Sequence, residues 1–223
     1  MEHPYLFMDL IKIPGFEHSP HVTYTWMIMI FIGLLAYLSM RKVSVVPNPI
    51  QNVIEMVLMA LNNLINDTMG ERGRAFMPLL VAEALFIFTA NIIGVIPGFH
   101  SPTADLNTTA AMALVVFVIT HVVGVWNHGF KYIKQFLGPV LWLVPLMFPI
   151  EVISHLSRPL SLSVRLFGNI RGEDLVLFVL LILIPYILPL PFLFLMILTS
   201  ALQTFVFILL TMLYISGAME EAH

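Results

Sequence analysis

Apolar residues form long, nearly continuous runs along most of the chain, and polar residues are concentrated in short intervals between them. A helix needs about 20 residues to cross the roughly 30 Å hydrocarbon core of a membrane. Three runs approach that length, namely Tyr24–Met40, Phe76–Ile96 and Thr108–Trp126. Two longer apolar regions follow at about 139–184 and 192–216, separated by Pro185, Pro189 and Pro191. The pattern predicts an all-α membrane protein with five transmembrane helices, the last two forming a long, tilted hairpin.

The 139–184 region is too long for a single upright crossing. As one helix it would measure about 69 Å, more than twice the thickness of the hydrocarbon core. It must therefore tilt steeply, kink or break, and Pro145, Pro149 and Pro159 supply places to do so.

Residues 48–70 have a different pattern, with apolar side chains at helical spacing on one face and asparagines, Gln51 and Glu55 on the other. The Asn48–Pro49 pair is typical of a helix start. We expect one amphipathic helix lying in the membrane interface. Its polar face carries no Lys or Arg, so packing on a neighbouring protein is an alternative.

The composition supports the membrane class: 59% of the 223 residues are apolar, 10% are charged, and mean hydropathy is +0.95. Without cysteines the chain has no disulfides or thiol ligands, and we expect no metal or cofactor. The net charge of −3 gives no indication of a nucleic-acid partner. No signal-peptide pattern surrounds the first apolar run, so it is expected to remain as a transmembrane helix.

Lys and Arg in short loops favour the inner side of a membrane. They flank the amphipathic helix (Arg41, Lys42, Arg72 and Arg74) and follow the third span (Lys131 and Lys134). This bias predicts an outer N-terminus, an inner C-terminus and a single crossing by 139–184. The expected segments are an outer leader 1–23, a first span 24–40, an inner-side amphipathic helix 48–70, a transmembrane hairpin 76–127, a tilted hairpin 139–216 and an inner tail 217–223.

Charged residues persist inside the apolar 139–184 region. Glu151, Arg158 and Arg165 are seven residues apart, so a continuous helix places them on nearly one face. An intramembrane arginine costs about 2.5–3.5 kcal/mol on insertion scales, which indicates a partner or a task. For Arg165 the alternative is a buried ion pair; Arg158 and Arg171 can equally be structural.

Acids bracket Arg165 along the helix axis. Glu151 lies about 21 Å toward the inner side and Asp174 about 13 Å toward the outer side, with Glu173 nearer the face of Arg165. The arrangement predicts two offset, water-accessible half-paths, each reaching only part way across the membrane, with a charge barrier between them. In an antiparallel hairpin Gln203 reaches the depth of Arg165.

Glu83 and His121 are further intramembrane polar residues, either hydrogen-bonded within the bundle or carrying protons. Two other protein classes fit the sequence less well. A secondary transporter usually has internal repeats, and the sequence shows no convincing one. An intramembrane hydrolase needs a motif such as H-E-x-x-H, which the sequence lacks.

Four stretches carry a resemblance to subunit a of the F-type ATP synthase membrane sector: "SRPLSLSVRLFGN" followed by an acid nine residues after the arginine, "LQTFVFILLTMLYISGAMEEAH", "ADLNTTAAMAL" and "PNPIQNVIEM". They occur in the family's order and cover nearly the whole chain after the leader. The resemblance implies a proton-conducting stator subunit that makes no covalent bond itself, since no nucleotide-binding motif such as a P-loop is present.

The resemblance also implies residue roles. Arg165 matches the arginine that faces the carboxylate of the rotating c-subunit ring. The other matched positions are Gln203 and Asn169 beside it, Ser161 as a small polar neighbour, Glu151 in the inner half-path, Asp105 near the outer entrance, and Asp174 as the outer acid. The family's usual Ala-Gly-acid reads Gly172-Glu173-Asp174 here, so Glu173 is an alternative outer relay.

The partners implied are the c-subunit ring, the b-subunit peripheral stalk, the F1 sector and the lipid bilayer. A bacterial inner membrane is expected, with the N-terminus periplasmic and the C-terminus cytoplasmic. Whether the ion is a proton or sodium, and the size of the ring, depend on the partner ring.

Overall fold

The structure, a computed structural model, describes residues 20–40, 49–96, 99–129, 132, 144–184, 187 and 189–219. Within these residues six α-helices follow one another: α1 (Pro20–Met40), α2 (Pro49–Met69), α3 (Met77–Val95), α4 (Leu106–His128), α5 (Val144–Leu183) and α6 (Pro189–Met219). Short 3-10 helices at Glu71–Phe76 and Pro102–Ala104 precede α3 and α4. The predicted all-α membrane class is confirmed.

Several sequence predictions fall on other parts of the chain. Residues 1–19 of the expected leader, residues 220–223 of the expected tail, and four of the positively charged residues that predicted the orientation lie outside the described residues. Those four are Arg41, Lys42, Lys131 and Lys134.

Four segments among the described residues are long and apolar enough to cross a membrane. They are His21–Leu38, Glu71–Val95, Leu106–His128 and Pro189–Met219. The first begins earlier than the expected Tyr24 because α1 starts at Pro20, a residue whose fixed φ suits the first turn of a helix. Large apolar side chains on α1, such as Ile30 and Phe31, are exposed, as expected for contact with lipid.

Helix α5 is one continuous helix of 40 residues that runs through both Pro149 and Pro159. The prolines that were candidates for a break therefore lie inside the helix. At about 60 Å it is twice the thickness of the hydrocarbon core, so it must lie at a steep angle to the membrane normal or extend beyond the core. Its continuity fixes the axial order of its charged residues.

Helix α6 is the centre of the packing and contacts α2, α3, α4 and α5. Its residues Phe207, Met212 and Ile215 are fully buried and share one apolar core with Leu80 and Ile87 of α3. Helix α4 packs against α5 on the other side of this core. The hairpin of α5 and α6 therefore packs against its neighbours through the faces that both helices turn toward the core.

The apolar face of helix α2 is buried near the C-terminus of the helix and exposed near its start. Near its C-terminus Ile65 and Met69 are buried in the core with α3 and α6, whereas Val53 and Met56 nearer its start are exposed. Gly70, at a φ of 66°, then ends the helix, and its N–H donates to the carbonyl of Asn66. The second half of α2 thus packs on its own chain, and the first half stays open to lipid or a neighbouring protein.

Candidate functional site

The surface of α5 carries a stripe of small and polar residues that includes Arg165. Its members are exposed and recur at spacings of three and four, which places them on one face. They are Ser161, Arg165, Gly168, Asn169 and Gly172. Among the described residues, a Cβ atom added at Gly168 or Gly172 would meet no atom within 4 Å beyond the backbone of its own helix. The stripe is therefore an open strip on which another helix can approach closely.

Arg165 lies in this stripe with an exposed side chain. Among the described residues no hydrogen bond or ion pair involves its guanidinium. The exposed neighbours Leu160 and Val164 are apolar. This placement differs from the buried ion pair that was the structural alternative for Arg165, because a buried charge would require a partner close by. Within the described part of the chain, the guanidinium is therefore a cation without a counter-charge, beside exposed apolar residues.

One helical turn beyond Arg165, a hydrogen bond joins α5 to α6. The Nδ2 group of Asn169 donates to Oε1 of Gln203 at 2.5 Å. Gln203 is 5% exposed, whereas Asn169 is on the surface. The antiparallel hairpin thus brings the predicted residues Gln203 and Asn169 together one turn from Arg165, and within the described residues no hydrogen bond joins either of them to the guanidinium.

Fourteen residues before Arg165 on α5, Glu151 contacts a histidine that the sequence analysis did not select. Its Oε1 atom lies 3.4 Å from Nε2 of His155, one turn further along α5. The ring of His155 packs edge-on against His121 of α4, with centroids 5.3 Å apart. Arg158 lies over the ring of Tyr214 on α6, at 5.5 Å from its centroid. The spacing of Glu151 and His155 was visible in the sequence; the contact with His121 depends on how α4 packs.

Beyond Arg165 in the C-terminal direction of α5, the two candidate acids face different ways. Glu173 faces Thr199 of α6. Asp174 lies near Arg171 on the same helix. Both acids are half-buried. The nine residues between Arg165 and Asp174 amount to half a turn in azimuth, so Glu173 lies closer to the face of Arg165.

Asp105 is the N-cap of α4, accepting a hydrogen bond of 2.8 Å from the backbone N–H of Asn107. Its other carboxylate oxygen lies 3.4 Å from Nδ1 of His21 on α1. The preceding 3-10 helix packs against both α1 and α5. Asp105 therefore lies at the end of a 3-10 helix that contacts α1, α4 and α5. His21 could not be selected from the sequence, because it falls in the expected leader.

Helix α3 contributes two buried polar residues, Asn91 and Glu83. Asn91 accepts a hydrogen bond of 2.7 Å from Thr103, whose hydroxyl also contacts Ser101 at 2.7 Å. Glu83 is 7% exposed, and within the described residues neither of its carboxylate oxygens has a hydrogen-bond partner. Asn91 thus connects α3 to the 3-10 helix before α4, whereas Glu83 has no such partner within the described residues.

These features define a class: a helical protein embedded in a membrane, with an open stripe around an arginine and polar groups on either side of it. The family model for the ATP synthase A chain matches residues 22–216. Relatives named "ATP synthase subunit a" in Trichlorobacter lovleyi and Geobacter sulfurreducens are 47% and 46% identical. "ATP synthase subunit a 1" of Syntrophotalea carbinolica is 50% identical. Each match covers 100% of both chains.

The chain therefore belongs to the ATP synthase A chain family. It is the proton-translocating stator part of the F-type membrane sector and is embedded in the membrane. This membership confirms the resemblance and the function expected from the sequence, and it excludes the secondary transporter and the intramembrane hydrolase as the class of this protein.

Proposed function

We propose that Arg165 separates two offset proton half-paths and attracts the ionised carboxylate of a rotating c-subunit ring. The observation that carries this proposal is the exposed guanidinium without a partner among the described residues, one turn from the bond between Asn169 and Gln203. A cation left unneutralised by its own chain, in an otherwise apolar surface, is suited to an anionic group on another subunit. The open strip formed by Ser161, Gly168 and Gly172 gives a ring helix room to approach.

The inner half-path in this proposal begins at Glu151, about 21 Å from Arg165 along the continuous helix α5. The outer half-path reaches α5 about 13 Å beyond Arg165, at Asp174 or Glu173, and opens near Asp105. The axial offset means that a proton cannot pass directly from one acid to the other, since Arg165 lies between them. The ring must carry it.

Transport then proceeds by neutralisation and rotation. A proton from the outer half-path neutralises a ring carboxylate, and the neutral group can enter lipid, where an ionised one would be costly. After nearly a full turn the carboxyl loses its proton to the inner half-path, and Arg165 attracts the resulting charge. Each charge that crosses supplies about 2.3 kcal/mol per 100 mV, so several crossings must be summed to drive synthesis.

The assembly that we propose places this chain beside the c-subunit ring and the b-subunit peripheral stalk, and connects it through the complex to the F1 sector. We place it in a bacterial inner membrane with a periplasmic N-terminus and a cytoplasmic C-terminus. The absence of native cysteines allows a direct test of orientation. Single cysteines at Gly129 and Ile187 should react with a membrane-impermeant reagent from the cytoplasmic and the periplasmic side, respectively; the reverse pattern would refute this orientation.

The central test is Arg165→Ala in the assembled complex. We expect loss of ATP-driven acidification in inverted vesicles, normal assembly, and retained passive proton flux through the membrane sector after removal of F1. The control is Arg72→Ala, which removes an exposed arginine from the 3-10 helix before α3 and should leave all three measurements unchanged. If the Arg165→Ala complex still pumps, Arg165 does not separate the half-paths.

A further inference from the structure

Three titratable side chains meet where α4 packs against the inner half of α5. His155 is 5% exposed and bridges the gap between Glu151 on its own helix, at 3.4 Å, and His121 on α4, at a ring distance of 5.3 Å. His121 is half-buried, as is Glu151. The contacts therefore form a continuous row that leads from the predicted inner acid, through a buried imidazole, to a partly exposed one.

A small cavity adjoins this row. It has a volume of about 10 Å³, close to the smallest that holds one water molecule, and its lining includes His121, His155, Arg158, Thr120 and Tyr214. The remaining lining residues are apolar, namely Ala113, Val116, Phe117, Pro159 and Leu162, so the lining offers a water few polar atoms. A proton can cross such a gap between two imidazoles by way of one water molecule.

The hydrogen bond of His121 fixes which of its atoms handles the proton. Nδ1 lies 2.8 Å from the carbonyl oxygen of Phe117. A carbonyl oxygen only accepts, so Nδ1 carries a hydrogen and Nε2 is the atom that gains or loses a further proton. His121 thus takes a proton at Nε2 and returns it from the same atom, which suits a group that holds protons for a neighbour.

The surroundings limit the pair to about one extra proton. The other charged or titratable groups that face it, among the described residues, are Glu151 and Arg158 on α5, Tyr132 after α4, and Tyr214 on α6. Two imidazolium ions at this separation would repel each other, and Arg158 adds a further positive charge. A proton on one imidazole therefore disfavours a proton on the other.

We propose that His121 and His155 form a proton-holding pair that exchanges protons with Glu151 at the inner half-path. The inference rests on the proposed function, since it needs Glu151 to lie on the inner path. Imidazole changes its charge within the physiological pH range, whereas a carboxylate is almost fully ionised there. The pair therefore captures protons for Glu151 when free protons on the inner side are scarce.

This role has a signature that a structural role lacks. During ATP-driven pumping, protons are taken up from the cytoplasmic side of the membrane. In an inverted vesicle that side faces the external medium. Between about pH 6.5 and about pH 8 the free proton concentration falls about thirtyfold, so capture by the pair matters most at the higher pH. A packing defect would instead lower the rate by the same fraction at both pH values.

The experiment measures initial acidification rates per complex in inverted vesicles that carry the whole complex with His121→Gln, His155→Gln or both. We expect the double variant to pump nearly as well as wild type at about pH 6.5 and about fivefold more slowly at about pH 8. The control is His128→Gln, which alters a histidine of α4 that does not line the cavity and should match wild type at both values. A loss that is equal at both pH values, or no loss, overturns the proposal.

If the double variant does not assemble, the single change at half-buried His121 decides the question by the same criterion. Arg165→Ala is measured in the same series. Pumping that survives Arg165→Ala refutes the proposed function. Pumping that stops in Arg165→Ala but shows no pH-dependent loss in the histidine variants refutes the proton-holding pair alone.

Discussion

The amide of Asn169 donates a hydrogen bond of 2.5 Å to Oε1 of Gln203, and this bond connects α5 to α6 one turn from Arg165. Interhelical hydrogen bonds in membranes contribute about 0.6 kcal/mol on average, so the bond adds little to the stability of the hairpin. Its more specific effect is positional, because it sets the rotation of α5 relative to α6 at the depth of the arginine. The orientation of the exposed stripe depends on that rotation.

The first prediction concerns this pair. Asn169→Leu and Gln203→Leu should each slow ATP-driven pumping, and the double variant should be little worse than the slower single one. We expect a coupling of about 0.6 kcal/mol, or about threefold in rate. The measurement is a double-mutant cycle on pumping rates in assembled complexes. As a control, Ser200→Ala combined with Asn169→Leu should be additive, since Ser200 donates to Met196 instead. Additive effects for Asn169 and Gln203 would show that the bond does not couple them.

The second prediction tests whether the stripe on α5 is an interface. Gly168 is exposed, and among the described residues no atom beyond the backbone of its own helix lies within 4 Å of a Cβ added there, so Gly168→Leu should leave the chain folded. The added bulk should nevertheless keep a ring helix away, and we expect loss of pumping and weaker retention of the ring during purification. The matched control is Gly33→Leu on α1, which also has open space around it. Full activity of Gly168→Leu would show that no partner approaches closely there.

The long helices and their polar stripe follow from the sequence, because apolar runs and seven-residue spacings are local properties of the chain. The depth match between Arg165 and Gln203 also follows, since any antiparallel hairpin with a turn near Pro189 aligns them. The role of Pro149 and Pro159 does not follow, because whether a helix bends or continues at a proline depends on its neighbours. The structure has one helix there.

Contacts between helices that are distant in sequence could not be predicted from the sequence in the same way. The pairing of His121 with His155 requires α4 to pack beside the inner half of α5, with a particular rotation of each helix. Neither quantity is set by hydropathy, since almost every face of these helices is apolar. The contact of His21 with Asp105 likewise depends on where α1 packs against the 3-10 helix Pro102–Ala104. Family resemblance assigned a role to Asp105 but gave no partner for it.

The third prediction separates two roles of Asp105. Its carboxylate caps α4, and removal of such a cap by alanine costs about 1 kcal/mol. Asparagine is an equally good cap but carries no charge. If Asp105 serves the outer half-path, Asp105→Asn should lower pumping severalfold while thermal stability stays at the wild-type value, and Asp105→Ala should lower both. Melting curves of the purified complex and acidification assays give the two quantities. Wild-type pumping by Asp105→Asn would leave only the capping role.

The fourth prediction concerns Glu83, whose two carboxylate oxygens are buried and have no hydrogen-bond partner among the described residues. Such a group costs about 1–3 kcal/mol in unmet hydrogen bonding. Leu80 and Ile87, one turn to either side on α3, are fully buried in the apolar core. Glu83→Leu should therefore raise the melting temperature of the complex without reducing pumping. The control is Thr211→Val, because the Thr211 hydroxyl already donates a hydrogen bond to the carbonyl of Phe207 and its removal should not raise the melting temperature.

A different result would contradict this prediction. If Glu83→Leu stops pumping while Glu83→Gln preserves it, the polar group itself is needed in the working complex. Glu83 would then meet a partner in the complex that is not present among the described residues of this chain.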